Sequence, residues 1–525
     1  MSVICFLTTK LHRCLPRLGG QDGFTMVLAM GALLVGLMFV IAAYDAVGSD
    51  LPTARQDQDR KAAYAAAEAG ANYYLFQLDQ DNAYWTKCTS VPPPSSTEAS
   101  PVNQQWSGSG SDPRVWRSLP GSPAKYTIEL LPATGYSQCI AGNDASMLDP
   151  SSGTFRIRAT GIMRGVKRSI VATFKRRGFI DYLYSTDYET VDPLVYSTNP
   201  QTQAQYRSSC VKYHYQGRQS PCIDIQFRTG DQVNGPLHTN DSLDICGTPS
   251  FGLGSADTIE QSGPSPWAPS TCSPNPPTVG PGTLQANAAI LPIPTSNVAL
   301  ANQAAPAYRF TGRTDITLTG TTMQVANSHL SPSPQTLPLP ANGVVSVLSD
   351  GTCTSQYNVI ETYAEGTGCG IAYVHGTYTK DLSITTARDI VVNGDIVNGA
   401  DAVLGLVPTN FARIYHPVDY SNGSCPNLPG TMSSVRIDAA ILALNDSFIV
   451  DNYFCGAALG TLTVNGAIAQ EFRGPVGTTN GSATTGYIKS YGYDRRFQYR
   501  SPPYYLDPVQ AAWLVRRQVE QVPAR

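Results

Sequence analysis

Residues 24–44 read FTMVLAMGALLVGLMFVIAAY, and residues 55–85 read RQDQDRKAAYAAAEAGANYYLFQLDQDNAYW. The first stretch carries no charge. The second is charged at Arg55, Asp57, Asp59, Arg60 and Lys61 and then becomes alanine-rich. A helix over the first stretch is about 31 Å long, the thickness of a bilayer core. Downstream, Ala62, Ala66, Ala69, Tyr73 and Leu75 recur near helical spacing, and alanine is the best helix former. The two stretches predict one continuous helix from Phe24 to about Leu78, transmembrane at first and amphipathic afterwards. Lys10, Arg13 and Arg17 precede it, so the positive-inside rule keeps residues 1–23 cytoplasmic and exports the rest. The apolar run is too long for an ordinary secretory signal and continues into helix, which reads as an anchor. The expected location is the inner (cytoplasmic) membrane, held by one N-terminal helix, with the bulk of the chain extracytoplasmic or on the cell surface.

Immediately before that run stands Gly23-Phe24-Thr25, after a short basic leader. This arrangement resembles the prepilin signal of type IV pilins and pseudopilins, and Ala62–Gly70 is similar to the post-membrane region of PilX-type minor pilins. The resemblance implies that a prepilin peptidase cuts after Gly23 and that Phe24 becomes the N-methylated terminus. It also implies that the helix is a filament spine packed among other pilins or pseudopilins, with a surface ligand as a further partner. Major pilins carry Glu at the fifth mature position. Here that position is Leu28, which points to a minor subunit, such as one at the tip. Glu68 is a candidate for pairing across subunits, beside its plainer reading as part of a solvated face.

The composition of the 525 residues agrees with an exported β-rich protein. Lys+Arg 36 against Asp+Glu 39 gives a net charge of -3, which excludes a broad basic surface for nucleic acid. Only 14% of residues are charged, Gly 46 and Pro 39 are abundant, and Tyr 28 exceeds Phe 15, a turn-rich β profile. Cys5 and Cys14 precede the apolar run. The other ten cysteines fall as sequence neighbours: Cys88 and Cys139, Cys210 and Cys222, Cys246 and Cys272, Cys353 and Cys369, Cys425 and Cys455. With no CxxC and no His at zinc-ligand spacing, disulfides are favoured over metal sites, and buried free thiols are the alternative.

Segments 125–131, 154–163 and 167–176 alternate as strands, the last two forming a hairpin around Arg164-Gly165-Val166. The units expected are a leader (1–23), a transmembrane and spine helix (24–80), a pilin-like β head (81–178), a transition region (179–235), a β-helix-like domain (236–500) and a C-terminal capping helix (501–525). The fold class is therefore α+β, mostly β: a long N-terminal transmembrane helix, a small antiparallel head and a parallel β-helix or solenoid. A two-sheet sandwich is the alternative for the large part. The solenoid reading rests on Val-Asn-Gly units at 233–235, 392–394, 397–399 and 464–466, where positive φ at Asn or Gly would turn corners. Asp507-Pro508 reads as the start of the last helix, with Ala511, Ala512, Leu514, Val515 and Val519 as its apolar face. The basic cluster Arg164, Lys167, Arg168, Lys175, Arg176 and Arg177 reads as a solvated strand face.

No P-loop, GxSxG, HExxH or EF-hand loop occurs, and no catalytic residue, cofactor or metal is assigned. The carboxylates worth testing are Asp241 and Asp244 beside His238, Asp395 and Asp401, and Asp446 and Asp451, each also readable as a corner or cap residue. The functional expectation is a non-enzymatic minor pilin-like subunit that contributes to assembly or to an adhesive surface. The alternative is a membrane-anchored β-helical enzyme acting on polysaccharide.

Overall fold

The computed structural model describes residues 24–88, 116–149, 153–327, 331–354, 357–421, 425–479, 483–498, 500–508 and 513–524. One helix runs from Phe24 to Gln80. Its second half lies across a five-stranded antiparallel sheet made of Arg117–Ser118, Lys125–Leu131, Thr154–Met163, Val166–Arg176 and Trp513–Gln521, in that order. Ala63, Ala66, Ala67, Ala71, Tyr74 and Leu78 are fully buried on it, a stripe turned about one residue from the one expected. Small residues let the backbones approach closely. A Cβ at Gly161 would collide with the carbonyl oxygen of Ala63. Tyr74, Trp85, Phe155, Phe174 and Trp513 complete this core.

Two expectations about the chain ends fail. The helix stands where predicted, but among the described residues no helix is long and apolar enough to cross a membrane. The transmembrane assignment, and the anchoring in the inner membrane built on it, are withdrawn. Among the described residues the C-terminal capping helix is likewise absent: Trp513–Gln521 is a strand, paired antiparallel to Val166–Arg176 as an edge of the head sheet. A long-range sheet edge outcompeted a local helical pattern.

The remaining strands pair almost wholly in parallel and stack as the three faces of a solenoid, which excludes a sandwich. On one face Val374, Val392, Ile414 and Val450 lie in register. On the second, Ile396, Ile437, Val464, Tyr491 and Val233 do so. On the third the ladder is Val345, Ile384, Leu406, Ile441 and Ile468. All point into one continuous core. At the Val-Asn-Gly corners the chemistry differs from expectation, because none of Gly235, Gly394, Gly399 and Gly466 has positive φ. Glycine is required by the stack instead: a Cβ at Gly466 would strike the carbonyl of Ala439 in the coil below. The asparagines tie corners, as where Asn465 Nδ2 donates to Asp438 Oδ1 at 2.8 Å.

The order of the coils does not follow the sequence. Tyr184–Val191 enters mid-stack, and a first run winds outward through Gln232–Asn234, Leu237–Thr239 and Thr258–Gln261 to Thr283–Gln285. Residues 286–308 then return along the outside to the opposite end. There Asn297 Nδ2 donates to the carbonyls of Thr386 (2.9 Å) and Val407 (3.1 Å), while Leu291, Leu300 and Ala304 pack on Val344, Val407 and Leu442. A second run winds back from Arg309–Thr311 to Ile488–Tyr493 and meets the first at a seam. Ile468–Arg473 pairs with Tyr184–Val191, and Tyr491–Gly492 with Val233–Asn234.

Candidate functional site

Two features of this architecture have the character of sites: the helix half that leaves the head, and a cleft at the seam. On the helix, side chains from Met26 to Ile41 are open to solvent, from 54% exposed at Val35 to 73% at Leu33 and Phe39. Leu28 is among them. Glu68 lies half-buried on the head-packed portion, away from the bare apolar stretch. Gly23 lies outside the described residues, and Phe24 is the first helical residue.

The head fixes the direction in which this helix leaves. Arg164, at the hairpin turn with φ 45°, donates from Nε to Asp59 Oδ1 at 3.0 Å and Oδ2 at 3.1 Å. The basic cluster is correspondingly less free than its alternation suggests. Arg168 pairs with Glu520 of the last strand, Arg176 lies over Trp513, and Lys175 Nζ is buried and donates to the carbonyl of Phe497 at 2.7 Å. Burial lowers the Lys175 pKa. These cations join the head to the last strand and to the solenoid.

Among the described residues five disulfides form, Cys88–Cys139, Cys210–Cys222, Cys246–Cys272, Cys353–Cys369 and Cys425–Cys455, each joining a cysteine to the next one along the chain. Cys88 and Cys139 belong to the head core, Cys210 ends the helix Pro200–Cys210, Cys246 lies in the short strand Ile245–Cys246, and Cys369 sits in a small apolar cluster with Cys353 against it. Cys5 and Cys14 lie outside the described residues.

The carboxylates considered for chemistry are mostly held by internal partners. Asp451 receives Arg413 Nε at 3.0 Å, and the same guanidinium meets Glu361, Glu365 and Asp389. Asp446 receives Arg207 at 2.9 Å. His238 stands between Glu260 (3.1 Å) and Asn240 (2.9 Å). Asp241 accepts the backbone N–H groups of His214 and Glu189. Asp395 accepts that of Arg436, and Asp401 faces Arg496 and Arg500. Asp244 differs, because it lines the seam cleft.

That cleft has a volume of about 1080 Å³. The first run contributes Asp224, Asp231, Asp244 and Trp267, and the last coils contribute Tyr453, Tyr487 and Lys489. It exists because the ladder between the two runs is only two residues long at Tyr491–Gly492, so the strands part on the Ile488 side. Sequence reasoning picked out Asp244 and missed the rest, since residues 224–273 and 453–489 are neighbours only through the reversed winding.

No protein-family model matches the chain, and no curated protein matches it. Among solved structures, the competence-associated pilin ComZ from Thermus thermophilus aligns over 88% of this chain and 97% of its own, with 12% identity and a TM-score of 0.27. At that level the likeness carries no argument.

Proposed function

We propose that the chain is a non-enzymatic minor pilin-like subunit, joined to a filament through the bare half of its long helix and displaying the solenoid outward. One observation carries this reading: a single helix whose second half is buried on its own sheet while its first half exposes a continuous apolar surface. An apolar patch of that length on a soluble surface marks an interaction site, and the cover of matching shape is the equivalent helix of a neighbouring subunit. Gly23-Phe24 at the start of the helix supports processing by a prepilin peptidase, and the uncharged Leu28 supports a place at the filament tip.

Two measurements test it. Mass spectrometry of the mature protein from cells with a prepilin peptidase should find Phe24 at the N-terminus, and Gly23→Leu should leave the precursor intact. Leu34→Glu combined with Val35→Glu would bury unpaired charge between helices, at a cost of several kcal/mol, so incorporation into filaments should fall at least about tenfold. A native Met1 terminus, or unchanged incorporation of the double variant, contradicts the reading.

A further inference from the structure

The seam cleft combines features that the assembly role does not use. An isolated parallel bridge sets Asp244 beside Trp267, so a carboxylate and an indole share one wall. Asp244 is 1% exposed, and among the described residues its carboxylate has one hydrogen bond, a long one of 3.4 Å from Gln226. A buried carboxylate with spare acceptor capacity on the wall of a large cleft is arranged to receive hydroxyl donors. Trp267 is stacked on one face by His214, with centroids 4.0 Å apart and planes 5° apart, which holds the indole rigid. Tyr487, whose hydroxyl donates to the carbonyl of Met432 at 2.6 Å, is 4% exposed and closes the wall from the core side, which leaves Trp267 as the aromatic face. Rigid aromatic groups with a polar neighbour offer large contact area at low entropic cost.

The charge balance narrows the ligand. Asp224 is neutralised by Arg218 at 3.0 Å, and Asp231 shares its end of the cleft with Lys489. Burial, followed by the charge of Asp224, raises Asp244 to about 7. Neither a strongly anionic nor a strongly cationic ligand is favoured. At about 1080 Å³ the cleft exceeds the ordinary small-molecule pocket and suits several linked rings.

We propose that the seam cleft binds a neutral oligosaccharide strand, with a pyranose face against Trp267 and hydroxyls donated to Asp244 and Asp231. This reading is independent of how the helix assembles. The test uses the full chain in a non-glycosidic detergent, with cellohexaose, maltohexaose and chitohexaose as probes, followed by calorimetry and tryptophan fluorescence. At least one should bind with Kd below about 1 mM, and Asp244→Asn should weaken it about tenfold. Thr271→Trp, at an exposed rim position, obstructs the mouth of the cleft without disturbing the core and should abolish binding. The proposal is overturned if no hexasaccharide binds at about 10 mM, or if binding survives Thr271→Trp. It is overturned equally if a random peptide pool is retained in place of the sugars and is lost with Thr271→Trp, which would make this a peptide cleft.

Discussion

Burial pushes the carboxyl of Glu471 up to about 8 and that of Glu361 to about 7, with Asp451 at about 6. In each case desolvation outweighs the guanidinium beside it, Arg207 for the first and Arg413 for the others. Such groups hold more protons folded than unfolded between about pH 4 and pH 8, so they make stability fall as pH rises through that window. The thermal midpoint should therefore be higher at pH 5.5 than at pH 8, and Glu471→Gln should flatten the difference; an unchanged or inverted slope counts against this. Gly161→Val, forced against the Ala63 carbonyl, should cost about 1–3 kcal/mol in denaturant melts. Some of this scale was legible in the sequence. The disulfide cysteines stood out as neighbours, and the corner glycines stood out by type. Their cause did not, because Gly466 answers to the coil beneath it and not to its own φ.

Among elements, the long helix was readable from its own residues, since its length follows from an apolar run and alanine-rich turns. The membrane-spanning reading overreached, for hydropathy measures an apolar surface without naming what covers it. The last strand was not readable. Leu514, Val515 and Val519 fit a helical stripe as well as an edge strand, and the partner that decides, Val166–Arg176, lies more than 300 positions earlier in the chain. Trp513 anchors it, packed edge-on to Phe155 with centroids 4.8 Å apart and donating from Nε1 to the carbonyl of Asn82 at 2.8 Å. Trp513→Ala should destabilise the head by about 3–5 kcal/mol in a urea melt followed by circular dichroism. A loss below about 1 kcal/mol would mean that the strand is an ornament on a head that stands without it.

For the whole molecule, the sequence showed recurring short β units and hid the winding, because the coil order reverses at the strap of residues 286–308. The last strand of the second run, Ile488–Tyr493, closes the stack between Thr461–Arg473 and Gln232–Asn234, the latter made some 250 residues earlier, so neither run is sealed until synthesis is almost complete. A chain ending at residue 479 should consequently show protease sensitivity in both runs, at Gln232–Asn234 as well as Thr461–Arg473, whereas trimming at an outer end should stay local. The central claim is that the bare helix half is covered by helices of other subunits. A photo-crosslinking amino acid at Leu34, in cells that make the filament, tests it most directly. The account predicts adducts to the N-terminal helices of pilin-type subunits, lost when Val35 is changed to Glu in the same chain. Adducts confined to lipid or to unrelated proteins, or none at all, would contradict it.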